Sequence, residues 1–142
     1  MLTRTLVCVT MLCGFAFQTA ADAKQQFGSQ LSLRQLYHLH RLPKVGTCYR
    51  SRITHVTSRF GGTPSRDDGT VVLFKSGLQQ VSYGIVEAVL RSRPGDSVTS
   101  CVVSLPKDCP PGDTRGIYYR THDWRTRESW TLPDSQHECG GA

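Results

Sequence analysis

The chain has 142 residues, of which 20% are charged, and a formal net charge of +6. This length is that of one domain. The basic residues are scattered without a dense run, which disfavours a dedicated polyanion site and nucleic acid as a partner, and favours a basic, soluble surface.

The first 23 residues have the pattern of a secretory signal peptide. A short positive start precedes the apolar run TLVCVTMLCGFAF, and Ala21 and Ala23 have the A-x-A spacing of a cleavage site. The alternative is a membrane anchor, which needs about 20 apolar residues, more than this run contains. We therefore predict cleavage after Ala23, a periplasmic or secreted protein, and no transmembrane segment in the mature chain.

The mature chain is predicted to have a flexible leader at residues 24–31 and a single disulfide-bonded domain at residues 32–142. The domain opens with SLRQLYHLHRLPKVG, in which Ser32 and Gln35 fit a capping box. Apolar residues fall on one helical face until a proline and a glycine interrupt the pattern. This pattern predicts one short helix from Leu33 to Arg41.

From Cys48 onward, β-rich runs alternate with turn residues at intervals of about ten residues. The first predicted strand is CYRSRITHVTSRF. TVVLF and LQQVSYG flank KSG, a three-residue hairpin loop that ends in glycine. IYYRTH and ESWTL form the last predicted hairpin.

The segment IVEAVLRSR is ambiguous. Ile85, Val86, Val89 and Leu90 fit one face of a helix, but the β-branched content favours a strand. Pro94-Gly95 suits the centre of a type II turn that would join this strand to SVTSCVVSL. Six or seven antiparallel strands then predict a mainly β domain, a small barrel or sandwich of the SH3-like or OB-like kind.

Four cysteines remain after the predicted cleavage: Cys48, Cys101, Cys109 and Cys139. An even number in an exported chain predicts disulfide bonds, because exported thiols meet an oxidising compartment. Three pairings are possible, and the sequence does not choose between them. We favour Cys48–Cys139, which joins the first strand to the tail, with Cys101–Cys109 closing a short loop.

The ending DSQHECGGA contains the residue types of a catalytic triad in Asp134, Ser135 and His137. Triads normally assemble from distant segments, and the G-x-S-x-G nucleophile motif is absent. The five histidines and the cysteines also lack the C-x-x-C and H-x-x-x-H spacings of zinc sites. We therefore predict a turn that leads to a disulfide at Cys139, with no catalytic residue, no metal and no cofactor.

The hairpin YYRTHDWRTRESW combines aromatic and arginine side chains, which suits contact with polyanions, glycans or proteins. The candidate binding residues are Tyr119, Arg120, Trp124, Arg125 and Arg127. The same stretch loosely resembles the last strands of small secreted microbial ribonucleases. Trp124 stands where that family has its catalytic histidine, and tryptophan cannot protonate a leaving group.

The carboxyl half also resembles a group of uncharacterised short exported bacterial proteins. The shared features are an SRxGDxVxxC stretch, a CPPGDxRG loop, an RTxxxW hairpin and a PDxxHxCGGA ending, which cover about fifty residues. The resemblance implies bacterial export and paired cysteines. It implies no activity and no catalytic residue.

These observations favour a small, non-enzymatic binding protein of the bacterial cell envelope. Its expected partner is an envelope protein or an anionic polymer. One alternative is an inhibitor of a secreted hydrolase such as lysozyme, because the loop CPPGDTRG is rigid enough to enter a cleft. The other is a small secreted nuclease or hydrolase, which would need a histidine and a carboxylate to converge in a cleft.

Overall fold

The computed structural model describes residues 42–141. The predicted signal peptide, leader and helix Leu33–Arg41 lie outside the described residues. The described part has six strands and one short helix: β1 (Cys48–Thr57), β2 (Thr70–Phe74), β3 (Gln79–Ser82), α1 (Glu87–Leu90), β4 (Ser97–Ser104), β5 (Tyr118–Asp123) and β6 (Ser129–Pro133). The mainly β prediction is confirmed for this region.

The six strands form one antiparallel sheet in the order β3-β2-β1-β4-β5-β6. The long strand β1 lies at its centre and divides its pairing between two neighbours. Residues 48–52 pair with β4, while residues from Ile53 onward pair with β2, with a register shift between Ile53 and His55. Such a shift bends a strand and increases its twist, so the sheet curls into a half-barrel.

The concave side of the curled sheet encloses the core. Ile53, Val72, Val98, Val102 and Tyr119 are at most 2% exposed. They come from four different strands, at positions where the sequence alternates between inward and outward side chains. The interior of the half-barrel is therefore the hydrophobic core.

One buried polar side chain, Gln80 on β3, connects the two ends of the sheet. Its Nε2 donates to the carbonyls of Tyr119 at 2.9 Å and Leu132 at 3.3 Å. Its Oε1 accepts hydrogen bonds from Thr121 Oγ1 at 2.8 Å and Trp130 Nε1 at 2.9 Å. All four groups belong to β5 and β6, so Gln80 holds the sheet in its curled form.

The predicted strand IVEAVLRSR is wrong, because this segment contains the short helix α1. The amides of Val89 and Leu90 both donate to the carbonyl of Val86, and Val89 is completely buried. Val89, with the partly buried Val86, packs against the core, while Leu90 is exposed. The predicted turn at Pro94-Gly95 does form. Gly95 has a φ of +95°, and the amide of Asp96 donates to the carbonyl of Arg93 at 3.2 Å.

The two disulfides are Cys48–Cys101 and Cys109–Cys139. The favoured pairing of Cys48 with Cys139 and Cys101 with Cys109 is therefore wrong. Cys48 and Cys101 face each other directly in the register between β1 and β4, with Cα atoms 4.0 Å apart. The strand register brings these thiols together, and sequence spacing does not reveal it.

Within residues 42–141, no helix has the length and apolar character needed to cross a membrane.

Candidate functional site

The convex face of the sheet is basic. Alternation along β1, β4 and β5 turns the following residues outward: Cys48, Arg50, Arg52, Ser97, Thr99, Cys101, Arg120 and His122. None of these outward positions carries a carboxylate. Cations that are scattered in the sequence are therefore gathered on one side of the sheet, where their fields add.

A shallow groove of about 810 Å³ lies on this face, and we call it the basic groove. It has three cationic side chains, one exposed aromatic ring and several hydroxyls along its walls. The lining residues are Arg50, Ser51, Arg52, Lys75, Ser76, Ser97, Val98 and Trp124.

Backbone hydrogen bonds align one row of this groove across four segments of chain. The amide of Lys75, in the loop between β2 and β3, donates to the carbonyl of Arg52 at 2.9 Å. Arg52 is the register partner of Ser97 on β4. The amide of Trp124 donates to the carbonyl of Ser97 at 3.0 Å. Lys75 and Trp124 therefore lie on opposite sides of Arg52 and Ser97 in the same row.

Trp124 is 57% exposed, yet its ring is held in place. The indole Nε1 donates to Thr99 Oγ1 at 3.0 Å. The ring of His122 meets the indole edge-on, with centroids 4.7 Å apart. Because a fixed aromatic ring loses little entropy when a ligand stacks on it, Trp124 is suited to a contact role.

The cations of the groove have no acidic partners among the described residues. Arg52 donates from Nη1 to the carbonyl of Gly95 at 2.9 Å, which orients its guanidinium while leaving its charge uncompensated. The ion pairs of residues 42–141 involve neither Arg50, Arg52 nor Lys75. These three charges are available to an anionic ligand.

Of the five predicted binding residues, Tyr119 is wrong. It is 0% exposed and packs in the core, because inward positions of β5 are Tyr119, Thr121 and Asp123. Tyr118 and Arg120 are on the other face. Alternation alone predicts that one of the two adjacent tyrosines faces outward, and the structure assigns that place to Tyr118.

Arg125 is exposed in part, but its guanidinium is engaged in the fold. Its Nε and Nη2 donate to the two carboxylate oxygens of the buried Asp96 at 2.6 and 2.8 Å, and Nη2 also donates to the carbonyl of Arg91 at 2.6 Å. The hydrogen bonds from Arg125 lower the pKa of Asp96 and raise that of Arg125 itself. This bidentate pair positions the hairpin, so Arg125 is a structural residue.

The remaining predicted residues, Arg120, Trp124 and Arg127, are exposed. Arg120 lies opposite Cys101 and Thr131 on the convex face. Arg127 has a φ of +61° in the loop between β5 and β6, and its amide donates to the carbonyl of Asp123 at 2.9 Å. Of these three, Trp124 lines the basic groove.

Sequence reasoning missed Arg50, Arg52 and Lys75 as a group. A usable signal was present in CYRSR, where alternation along a strand places Cys48, Arg50 and Arg52 on one face. Lys75 had no such signal, because it reaches this face only through the pairing of β1 with β2.

The ending DSQHECGGA is tied to the fold through backbone contacts. Asp134 is buried, and its Oδ1 accepts the amides of Gly116 at 2.9 Å and Ile117 at 3.0 Å. The hydroxyl of Ser135 donates to the backbone carbonyl of His137. Asp134 thus fixes the chain before β5, rather than only starting a local turn.

The tail and the loop CPPGDTRG are clamped together by Cys109–Cys139. Asp113 accepts from Arg115 Nη2 at 2.7 Å and from the amide of Gly140 at 3.1 Å. The hydrogen bonds, Arg115 first among them, hold the pKa of Asp113 well below its usual range. The predicted role of Cys139 as an anchor is confirmed, with Cys109 as its partner.

In residues 42–141, no three or more histidine, cysteine, aspartate or glutamate side chains form a group that could hold a metal ion. The groove thus combines three cations without acidic partners in the described chain with a fixed, exposed aromatic ring on one side of them. Comparisons of the chain with protein family models, curated proteins and solved structures find no match.

Proposed function

We propose that the protein is an exported, non-enzymatic binding protein of the bacterial cell envelope, which captures an anionic polymer in the basic groove. One observation carries the proposal: Arg50, Arg52 and Lys75 line a groove beside the fixed indole of Trp124 without acidic partners in the described chain. Cations that are grouped on adjacent segments attract a multivalent anion more strongly than the same number of cations dispersed over the protein surface.

The envelope location rests on the predicted signal peptide and is supported by the two disulfides. Disulfides persist in oxidising compartments such as the periplasm and the exterior. The finer assignment of the half-barrel as an SH3-like or OB-like fold stays a prediction.

Binding of the purified protein to dextran sulfate, followed by isothermal titration calorimetry at several salt concentrations, tests the proposal. The groove variant carries Arg50→Gln, Arg52→Gln and Lys75→Gln. The matched control carries Lys44→Gln, Arg66→Gln and Lys107→Gln, which removes the same charge from exposed positions outside the groove.

We expect the groove variant to bind at least about tenfold more weakly, with a smaller dependence on salt, because each close ionic contact contributes up to about 1 kcal/mol. The control should stay within about threefold of the wild type, since distant charges are screened at physiological salt. Equal losses in the two variants would show that binding follows net charge alone, and the groove would then not be the site.

The hydrolase inhibitor remains a second candidate because of the clamped loop CPPGDTRG. Its exposed Pro110 and Pro111 lie between two fixed points, the Cys109–Cys139 disulfide and the Asp113–Arg115 ion pair. A loop held in one conformation loses little entropy on entering a cleft. Lysozyme activity measured with an excess of the purified protein tests this candidate, and full activity would remove it.

A further inference from the structure

Resting on the proposed function, we infer that the anionic polymer is a phosphodiester-linked sugar polymer, whose phosphates contact the three cations while a sugar ring stacks on Trp124.

The three cations of the basic groove are spaced along it. Arg50 and Arg52 are two residues apart on the same face of β1, so their Cα atoms are roughly 7 Å apart along the strand. Lys75 approaches from the β2 side, because its amide is bonded to the carbonyl of Arg52. The groove therefore has donors along β1 and on its β2 side, so it can bind more than one anionic group of the same polymer.

These donors select for the shape of the anion. A guanidinium fork can donate two parallel hydrogen bonds to a phosphate, and an ammonium group acts as a point charge beside it. The two free oxygens of a phosphodiester project from a tetrahedral centre, whereas those of a carboxylate lie in one plane. Arg52 and Lys75 lie side by side on neighbouring segments, so a guanidinium and an ammonium group are supplied from two separate positions, which suits the tetrahedral group better.

The aromatic content of the groove bears on the unit between the anions. Trp124 is the one aromatic side chain among the residues that line the groove. Sites for single-stranded nucleic acid stack successive bases on several aromatic rings. One indole next to Ser97, in a groove that Ser76 also lines farther along, suits a ligand with one ring and several hydroxyls per repeat, which is a sugar.

Four defined polymers of similar charge separate the elements of the inference. A synthetic hexose 1-phosphate oligomer has both the diester and the sugar ring. A glycerol phosphate oligomer has the diester without the ring, and an oligogalacturonate has the ring with a carboxylate. An oligothymidylate has the diester with bases in place of hexoses. Each is titrated into the full mature protein at physiological salt, and into Trp124→Ala.

We expect the hexose phosphate oligomer to bind tightest, and the glycerol phosphate oligomer to bind about tenfold more weakly because the stacking contact is absent. Trp124→Ala should reduce binding of the hexose phosphate oligomer to the level of the glycerol phosphate oligomer, and should leave the latter unchanged. Since Trp124 is exposed, the variant is expected to fold, and its circular dichroism spectrum checks this.

Three results would overturn the inference while leaving the proposed function intact. Oligogalacturonate binding as tightly as the hexose phosphate oligomer would show that the groove does not distinguish phosphate. Oligothymidylate binding tightest would show that the partner is nucleic acid or another polymer of stacked bases. If none of the four bound while dextran sulfate did, the inference would fail and the proposed function would stand. If dextran sulfate did not bind either, both would fail.

Discussion

Trp124 and Thr99 form a hydrogen bond of 3.0 Å from the indole Nε1 to the threonine Oγ1, on the convex face of the sheet. Thr99 belongs to β4, and Trp124 follows the end of β5. The bond fixes a ring that is 57% exposed, which is the arrangement expected of a contact residue rather than of a core residue.

Thr99→Val is expected to weaken binding of an anionic sugar polymer by about fivefold or less, because one hydrogen bond of about 1 kcal/mol no longer holds the indole. Valine keeps the shape of threonine, so the loss reports the hydrogen bond. Thr99→Ser retains the hydroxyl and is the matched control. Titration calorimetry measures both, and equal affinities for the two variants would show that this bond does not matter for binding.

Gln80→Leu is expected to lower the free energy of unfolding by about 3 kcal/mol or more. The substitution leaves the indole of Trp130, the hydroxyl of Thr121 and two backbone carbonyls without the side chain they contact, and an unsatisfied buried polar group costs about 1–3 kcal/mol. Urea unfolding followed by tryptophan fluorescence measures the change.

The neighbouring Gln79 is exposed on the same strand, so Gln79→Leu is the control. It should change the stability by no more than about 0.5 kcal/mol, as is usual for a surface position. A Gln80→Leu variant as stable as the Gln79→Leu variant would contradict the role of Gln80 in holding β3 to β5 and β6.

The pair Asp96–Arg125 makes stability depend on pH in the acidic range. The hydrogen bond from Arg125 lowers the pKa of Asp96 in the folded protein, while burial acts in the opposite direction. A carboxyl whose folded pKa lies below its unfolded value of about 3.9 stabilises the fold above that value. The contribution is lost as the pH falls through the folded pKa.

We therefore expect Asp96→Asn to be less stable than the wild type at pH 7 and to lose less further stability between pH 5 and pH 3. Asp67→Asn, at an exposed position, should keep the wild-type dependence on pH. Urea unfolding at pH 7, 5, 4 and 3 gives the comparison. If the free energy of unfolding fell equally with pH in Asp96→Asn and in the wild type, Asp96 would be excluded as a source of the acid sensitivity.

The disulfide pairing can be read from a tryptic digest, because trypsin places each of the four disulfide-bonded cysteines in a separate peptide. Cys48 falls in residues 45–50 and Cys101 in residues 92–107, since the bond before Pro94 resists cleavage. Cys109 and Cys139 fall in residues 108–115 and 128–142. Mass spectrometry without reduction should find 45–50 joined to 92–107, and 108–115 joined to 128–142. A link from 45–50 to 128–142 would refute the register of β1 with β4.

The pairing also predicts how much each bond stabilises the fold. The Cys48–Cys101 bond spans 53 residues and the Cys109–Cys139 bond spans 30. In the loop-entropy model each should contribute about 4 kcal/mol, with the longer loop slightly ahead. Replacing both cysteines of one pair by alanine, and measuring urea unfolding, tests the estimate. A much smaller loss for Cys109 and Cys139 would indicate that the tail is held mainly by Asp113 and Asp134.

Replacing Trp124, Arg125 and Arg127 together would be a poor test of binding. Loss of Arg125 would leave the buried carboxylate of Asp96 without its main partner, and a buried unpaired charge destabilises a fold strongly. Trp124 alone, or the cations of the basic groove, separates binding from folding.

The sequence by itself determined the local features of this protein. Gly77 and Gly95 marked turns that form as expected, with φ values of +89° and +95°, because a left-handed backbone depends on the residue at that position. Alternating β-rich runs indicated strands, and the even number of cysteines in the mature chain indicated disulfides. These signals depend only on neighbours within a few residues.

The tertiary structure alone decided which distant residues meet. The register of β1 with β4 set Cys48 opposite Cys101. The segment around Val89 became the helix α1, in which Val89 is buried in the core. The pairing of β1 with β2 brought Lys75 beside Arg52 and so completed the basic groove. Such contacts depend on how the sheet curls, and the curl depends on the bulge in β1 and on Gln80, whose partners lie about forty to fifty residues away.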